Sequence, residues 1–303
     1  MNIIKHKNIF FLISAILIIP GLISLFLYGL KPSIDFTGGS RIEIEIKNSK
    51  SKVSTSEIKS ILENEKIAVS SITTPTKDTY LIRTEQITEE QNKKSVAALK
   101  KTYSTVTEKS FETVGATIGK ETEVNALKAV GIASLAILLY IAFVFRKVSK
   151  PVASWKYGVS AIIALLHDVL VVLGLFSILG HFFNIEVDSL FITALLTVMG
   201  FSVHDTIVVF DRVRENLKKH SDMPFENVVN RSILETMNRS LNTSITVTIV
   251  LFMMLLFGGE NIRWFIVALL VGIVSGTYSS IFNAAPMLVV WYELDKKRKS
   301  KNS

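Results

Sequence analysis

Residues 190–210 read LFITALLTVMGFSVHDTIVVF, an apolar run broken by one ionisable pair, His204-Asp205. A helix rises about 1.5 Å per residue and the hydrocarbon core of a bilayer is roughly 30 Å thick, so about 20 such residues cross it. The run therefore reads as a membrane span that carries an acid. Five other stretches meet the same test: 9–30, 127–145, 157–179, 241–257 and 262–292, the last long enough to tilt or project. Between the first two lies 31–123, which reads as water-soluble sequence. The pattern is that of a polytopic α-helical membrane protein with one soluble insert.

Composition agrees. The 303 residues are 49% hydrophobic and 20% charged, with a mean hydropathy of +0.41, which excludes an ordinary soluble enzyme. Six spans put both termini on one side. Seventeen Lys and Arg flank that side, among them Lys5, Lys7, Arg146, Lys147, Lys150, Lys156, Arg212, Arg239 and the 296–299 run, whereas the short loops opposite hold only Arg263. Basic loops stay in the cytoplasm, so both ends are expected inside and the insert outside. The net charge of +8 is then a record of topology and anionic-lipid contact rather than of nucleic-acid binding. The basic, then apolar N-terminus lacks the small-residue pattern of a cleavage site and reads as an uncleaved anchor. Cysteine is absent, which excludes disulfides, thiolate metal sites and a cysteine nucleophile. The expected organisation is 1–30 for the N-terminus and first span, 31–123 for the extracytoplasmic domain, 124–292 for five further spans and 293–303 for a basic tail.

Within the insert, residues 41–46 (RIEIEI) alternate strictly, as a half-buried strand does. Residues 54–66 open with Ser54 and Glu57 in capping-box spacing and bring Ile58, Ile61 and Leu62 to one helical face. Residues 68–73 and 80–84 read as strands around a 75–78 turn, 88–103 as a second capped helix, and 107–114 as a last strand. The order β-α-β-β-α-β is that of a ferredoxin-like α+β domain. The insert holds no His and no catalytic constellation, so binding or force transmission suits it better.

An ionisable residue at the centre of a span costs about 2.5–3.5 kcal/mol on insertion scales, so it must pair, reach water or carry a proton. Asp168, after His167, falls at the middle of the third span. Asp205, after His204, lies five residues, roughly 8 Å, before the cytoplasmic end of the fourth. Arg239 opens the fifth span at a similar depth. Arg239, Asn242, Thr243 and Thr246 share one helical face, which is expected to look inward. The fourth span carries Thr193, Thr197, Gly200 and His204 along one stripe, with Ser202 and Asp205 about 100° round from its end; Gly272, Gly276, Ser279, Ser280 and Asn283 give the sixth span small-xxx-small spacing, and Gly200, Gly272 and Gly276 are the helix-packing candidates. A carboxylate between apolar surroundings and an arginine can load and unload a proton. A static ion pair is the alternative, favoured less for Asp205 and equally for Asp168. His204 and His167 read as packing residues sooner than as proton carriers, and no metal or cofactor is expected. Residues 225–237 read as an amphipathic interfacial helix feeding the fifth span.

Three segments carry a resemblance: Asp35-Phe36-Thr37-Gly38-Gly39-Ser40, GFSVHDTIVVFDRVREN at 200–216, and NRSLNTSIT at 238–246. The chain closely resembles the SecF-type members of the SecD/SecF protein-export family, relatives of the resistance-nodulation-division transporters, over nearly its whole length. The resemblance implies a bacterial inner-membrane complex with SecD, working beside the SecYEG channel on translocating preproteins and driven by the proton motive force, with YajC and YidC as further candidate partners. It implies a transport subunit rather than an enzyme. By motif, Asp205 corresponds to the aspartate on the proton path and Arg239 to the arginine assisting it. His204 stands where the family is expected to have Asn or another small polar residue. Gly38-Gly39 permits backbone angles closed to other residues, and Asp35 and Thr37 can cap a turn. The motif suits either a hinge or a tight connection into the first strand. Two other functions compete: a proton-driven small-molecule or lipid exporter, and a structural scaffold with a permanent Asp205–Arg239 pair.

Overall fold

The computed structural model describes residues 2–47, 53–76, 78–103, 105–146 and 151–301. Lys147 and Lys150 of the basic loop, and Lys77 of the 75–78 turn, lie outside them. The chain divides into two compact units, one of Met1–Leu30, Ala129–Ile185 and Leu190–Ser303, the other of Lys31–Lys128 and Glu186–Ser189.

The first unit is helical. Six helices are long and apolar enough to cross a membrane, at Ile4–Tyr28, Ala116–Phe145, Ser154–Phe183, Ser189–Lys219, Phe225–Phe257 and Glu260–Ser300. They contain α1 (Lys7–Tyr28), α5 (Ala116–Phe145), α6 (Ser154–Phe183), α7 (Ser189–Lys219), α8 (Phe225–Phe257), α9 (Arg263–Ser279) and α10 (Ala285–Lys301). The helices outrun the apolar stretches at their polar ends. In particular, 225–237 is no separate interfacial helix but the first turns of α8, because Glu226 to Met237 contain neither Pro nor Gly to stop it. α6 packs on α1 and α9, and α9 on α8. α1 and α6 meet where Gly21 faces Gly174; a Cβ on Gly21 would stand 2.8 Å from the Gly174 Cα, so only paired glycines allow this approach. Ser24 and Ser177 hydrogen-bond beside it at 2.9 Å. α9 and α10 are joined by a π-helical turn, Ser280–Ala284. Pro286 follows; it has no N–H to give the Phe282 carbonyl and its ring would strike it in an α-helix, which the wider turn relieves.

The second unit is the ferredoxin-like domain. Its strands β1 (Gly39–Ile46), β2 (Val69–Thr76), β3 (Thr79–Thr84) and β4 (Val106–Val114) form an antiparallel sheet in the order β2-β3-β1-β4. Helices α3 (Thr55–Asn64) and α4 (Glu89–Thr102) supply Ile58, Leu62 and Leu99 to a core with Ile42, Ile44, Ile46, Tyr80 and Ile82. Strict alternation places the apolar half of β1 on that side and Arg41, Glu43 and Glu45 on the other. α4 has the full capping box of Thr88 and Gln91. α3 does not: Ser54 accepts from the Ser56 N–H, while Glu57 accepts the Tyr103 hydroxyl at 3.2 Å instead.

Candidate functional site

Two buried acids lie in the helical unit, and their surroundings differ. Asp168 on α6 is 0% exposed. Its Oδ2 accepts from the hydroxyls of Ser202 on α7 at 2.5 Å and Ser279 on α9 at 2.7 Å. Its Oδ1 accepts from Ser275, one turn earlier on α9, at 2.8 Å, and faces His167 Nδ1 at 2.9 Å. Ser275 and Ser279 reach it because residues four apart share a helical face. Gly276 lets α9 approach: a Cβ there would lie 3.1 Å from the Ser202 Cβ and 3.5 Å from Asp168 Oδ2. Gly272 does the same against Val198, whose Cγ2 would be 2.2 Å from an added Cβ. Gly200, placed with these two by its spacing, faces open space instead.

Asp205 on α7 is 5% exposed. Its Oδ1 accepts from Ser240 of α8 at 3.0 Å. Its Oδ2 is buried and has no hydrogen-bond partner among the described residues. Ser280, the first residue of the π turn, lies beside the carboxyl and gives its proton to the Thr277 carbonyl at 3.1 Å. No ion pair joins Asp205 to Arg239; the guanidinium, like His204, sits on an exposed face and acts on the acid only through space.

That arrangement reverses an expectation. Arg239, Asn242, Thr243 and Thr246 do share a face, but it is exposed, not inward. The inward face of α8 is a different stripe, Ser232, Thr236, Ser240 and Ser244, with a residue at every fourth position, all buried. Ser244 closes it against Thr277 of α9 at 2.5 Å. On α7, Thr197, Gly200 and His204 are likewise exposed. Polar groups facing hydrocarbon are costly, so the exposed stripes of α7 and α8 define a surface that bare lipid does not suit.

The Asp35 motif belongs to the other unit. Residues Ile34–Thr37 form a single turn, α2, capped by Ser33, and Thr37 returns its hydroxyl to the Ser33 carbonyl at 3.1 Å. Gly38 and Gly39 have φ of 72° and 116°, and a Cβ on Gly38 would stand 2.7 Å from the Ala116 Cα. The motif is thus a tight connection in this structure. Asp35 Oδ2 accepts from both the backbone N–H and the hydroxyl of Ser189, at 3.0 and 2.6 Å, capping the first residue of α7. Beside it Ser33 and Val187 join through a backbone bond of 2.8 Å, and Arg83 pairs with Glu186 at 3.2 Å, both largely buried. Burial pushes the Glu186 carboxyl above its ordinary value, against the pull of Arg83, Lys31 and Arg41. Sequence reading missed Glu186–Ser189 as part of this unit, since a loop of this length shows no period; the only signal was its paired acids, Glu186 and Asp188.

Chemically, the two acids are suited to different tasks. Four polar partners fill the acceptor sites of Asp168, and such a carboxylate is held in place. Asp205 has one oxygen bonded and one open, and a buried acid in that condition can take or give up a proton with little rearrangement.

Comparison with known proteins gives a consistent picture. The model of the SecD/SecF export membrane protein C-terminal region matches residues 94–294, and that of the SecD/SecF GG motif matches 23–50. A protein translocase subunit SecF of Thermobaculum terrenum is 45% identical over 97% of this chain and 95% of its own. That of Anaerolinea thermophila is 46% identical, over 96% and 94%. The SecDF of Bacillus subtilis is 34% identical over 98% of this chain but only 39% of its own. Among solved structures, SecDF of Thermus thermophilus, titled a translocon-associated membrane protein, superimposes with a TM-score of 0.82 at 33% identity, over 96% of this chain and 38% of that one.

Proposed function

The chain belongs to the SecD/SecF family of protein export membrane proteins, and we propose that it serves in export as the proton-responsive half of a two-subunit membrane machine. Relatives in which one chain holds both halves, such as the Bacillus subtilis SecDF, support a SecD-type subunit as its partner. The polar stripes of α7 and α8, exposed here, are the surface that such a subunit would cover. SecYEG, the translocating preprotein, YajC and YidC are the wider assembly in this reading. Both termini lie in the cytoplasm of a bacterial cell, and residues 31–123 lie outside, as the basic loops require.

The observation that carries the reading is Asp205: buried, with one oxygen bonded to Ser240 and the other without a partner among the described residues. A partner that brings water or a further polar group to the exposed polar face gives the free oxygen a route for a proton. Arg239 and His204, on the same face, then bias its charge. The scaffold alternative needs a permanent Asp205–Arg239 pair, and the guanidinium makes none. The proposal is tested by preprotein export into inverted membrane vesicles with and without a pH gradient. Asp205→Asn is expected to abolish the gradient-dependent part while the protein still assembles with its partner; gradient-dependent export at the wild-type rate would refute it.

A further inference from the structure

Asp168 and Asp205 sit on different helices, but the sixth span touches both with consecutive residues. Ser279 donates to Asp168 Oδ2 at 2.7 Å, and Ser280, the next residue, lies beside Asp205. Between them the chain passes from α-helix into the π turn Ser280–Ala284. Two neighbouring residues of a regular helix point about 100° apart, so one serine faces α6 while the other turns to the α7–α8 side. The same pairing occurs on α7, where Ser202 donates to Asp168 at 2.5 Å three residues before Asp205. Asp168 is therefore joined to α7, which carries Asp205, and to α9, which runs into the π turn, and it is fixed by donors from these two helices together with His167 of its own.

We propose that Asp168 is a positioning residue for Asp205: its carboxylate pins Ser279 and Ser202, and so sets the register of the π turn that presents Ser280 to the free oxygen of Asp205. The inference rests on the proton-responsive role proposed above for Asp205. Ser280 has one hydroxyl proton, which here goes to the Thr277 carbonyl. When Asp205 is ionised, that proton can swing to the unpartnered Oδ2, and when Asp205 is protonated it returns to Thr277. Displacement of the turn by a fraction of an ångström breaks this exchange, because hydrogen bonds weaken steeply with distance and angle. The charged or titratable groups near the pair are His167 at Asp168, Tyr278 of α9, which stacks on His167 and gives its hydroxyl proton to the Phe10 carbonyl, and His204 and Arg239 at Asp205.

The test is a double-mutant cycle in the full-length protein, assembled with its partner in inverted membrane vesicles, with gradient-dependent export measured across pH. Asp168→Asn and Ser280→Ala are each expected to shift the pH midpoint in the same direction and to slow that component by roughly tenfold, within the range that coupled pairs show. The double variant is expected to be no slower than the worse single one. Additive losses, or Asp168→Asn with the wild-type rate and midpoint, overturn the inference. Should Asp168→Asn fail to accumulate in the membrane, Ser279→Ala, which keeps the carboxylate and removes one of its donors, takes its place: the same shift supports the inference and wild-type behaviour overturns it. Asp205→Asn separates the two layers. If it retains gradient-dependent export, the proposed function falls; if it loses that component while the Asp168, Ser279 and Ser280 variants behave as wild type, only the positioning role falls.

Discussion

Asp168 and Asp205 are both aspartates after a histidine, both within membrane helices and both nearly inaccessible, yet the fold treats them oppositely. Around Asp168, α6, α7 and α9 each give a side chain, and its acceptor oxygens are filled. Around Asp205, α8 gives one serine, and the second oxygen is buried with no hydrogen-bond partner among the described residues. A buried acid with every partner in place is a structural element, whereas one left half satisfied is retained at a cost in stability. Two buried acids thus differ in how many fixed donors hold them.

Thermal stability in detergent gives the largest effect that separates the two. Truncating Asp168 to Ala leaves three buried hydroxyls without their acceptor, at about 1–3 kcal/mol per unsatisfied group, so a loss of several kcal/mol is expected. Truncating Asp205 to Ala strands only Ser240 and is expected to cost about 1–2 kcal/mol or less. Equal losses would erase the distinction drawn here. A smaller effect sharpens it through packing. Gly272→Ala forces a methyl group against Val198 and is expected to cost about 1–3 kcal/mol as overpacking. Gly200→Ala, on the open polar face of α7, is expected to stay within about 0.5 kcal/mol in the isolated chain. A marked loss for Gly200→Ala that appears only when the partner subunit is present would identify that face as an interface.

The ferredoxin-like unit adds a pH signature of its own. Because burial raises the Glu186 carboxyl, the folded state holds that proton more tightly than the unfolded chain. Its contribution is then greatest at low pH and is lost as pH rises from the ordinary carboxylate range, about 4.3 for Glu, through the raised folded value. Protection of the Val187 amide, taken relative to its intrinsic exchange rate at each pH, is expected to fall across that window, and Glu186→Gln is expected to remove that fall.

Much of this architecture was legible because periodicity and length are local properties. Twenty apolar residues specify a span wherever they occur, and the alternation of Ile42, Ile44 and Ile46 specifies a half-buried strand. The site was harder. Asp168 and Asp205 stood out as acids in apolar runs, but Ser202, Ser240, Ser275 and Ser279 are common small residues, and their meaning comes from helices far apart in sequence. Ser279 belongs to the small-residue stripe of the sixth span, but spacing alone does not say that it and Ser275 donate to Asp168. On α8, two polar stripes compete, and the reasoning that polar faces must turn inward selected Arg239, Asn242, Thr243 and Thr246. Applied to this chain alone, the rule chose the exposed face and passed over Ser232, Thr236, Ser240 and Ser244, which are buried. The π turn had a local cause in Pro286, yet nothing in the sequence told that its first residue would meet Asp205.

Infrared difference spectroscopy of the reconstituted complex across a pH step reads the proposed proton exchange at Asp205 directly. The expected result is a carboxyl band that vanishes in Asp205→Asn and persists, shifted in midpoint, in Asp168→Asn. A band unaffected by Asp205→Asn, or one removed only by Asp168→Asn, would contradict it.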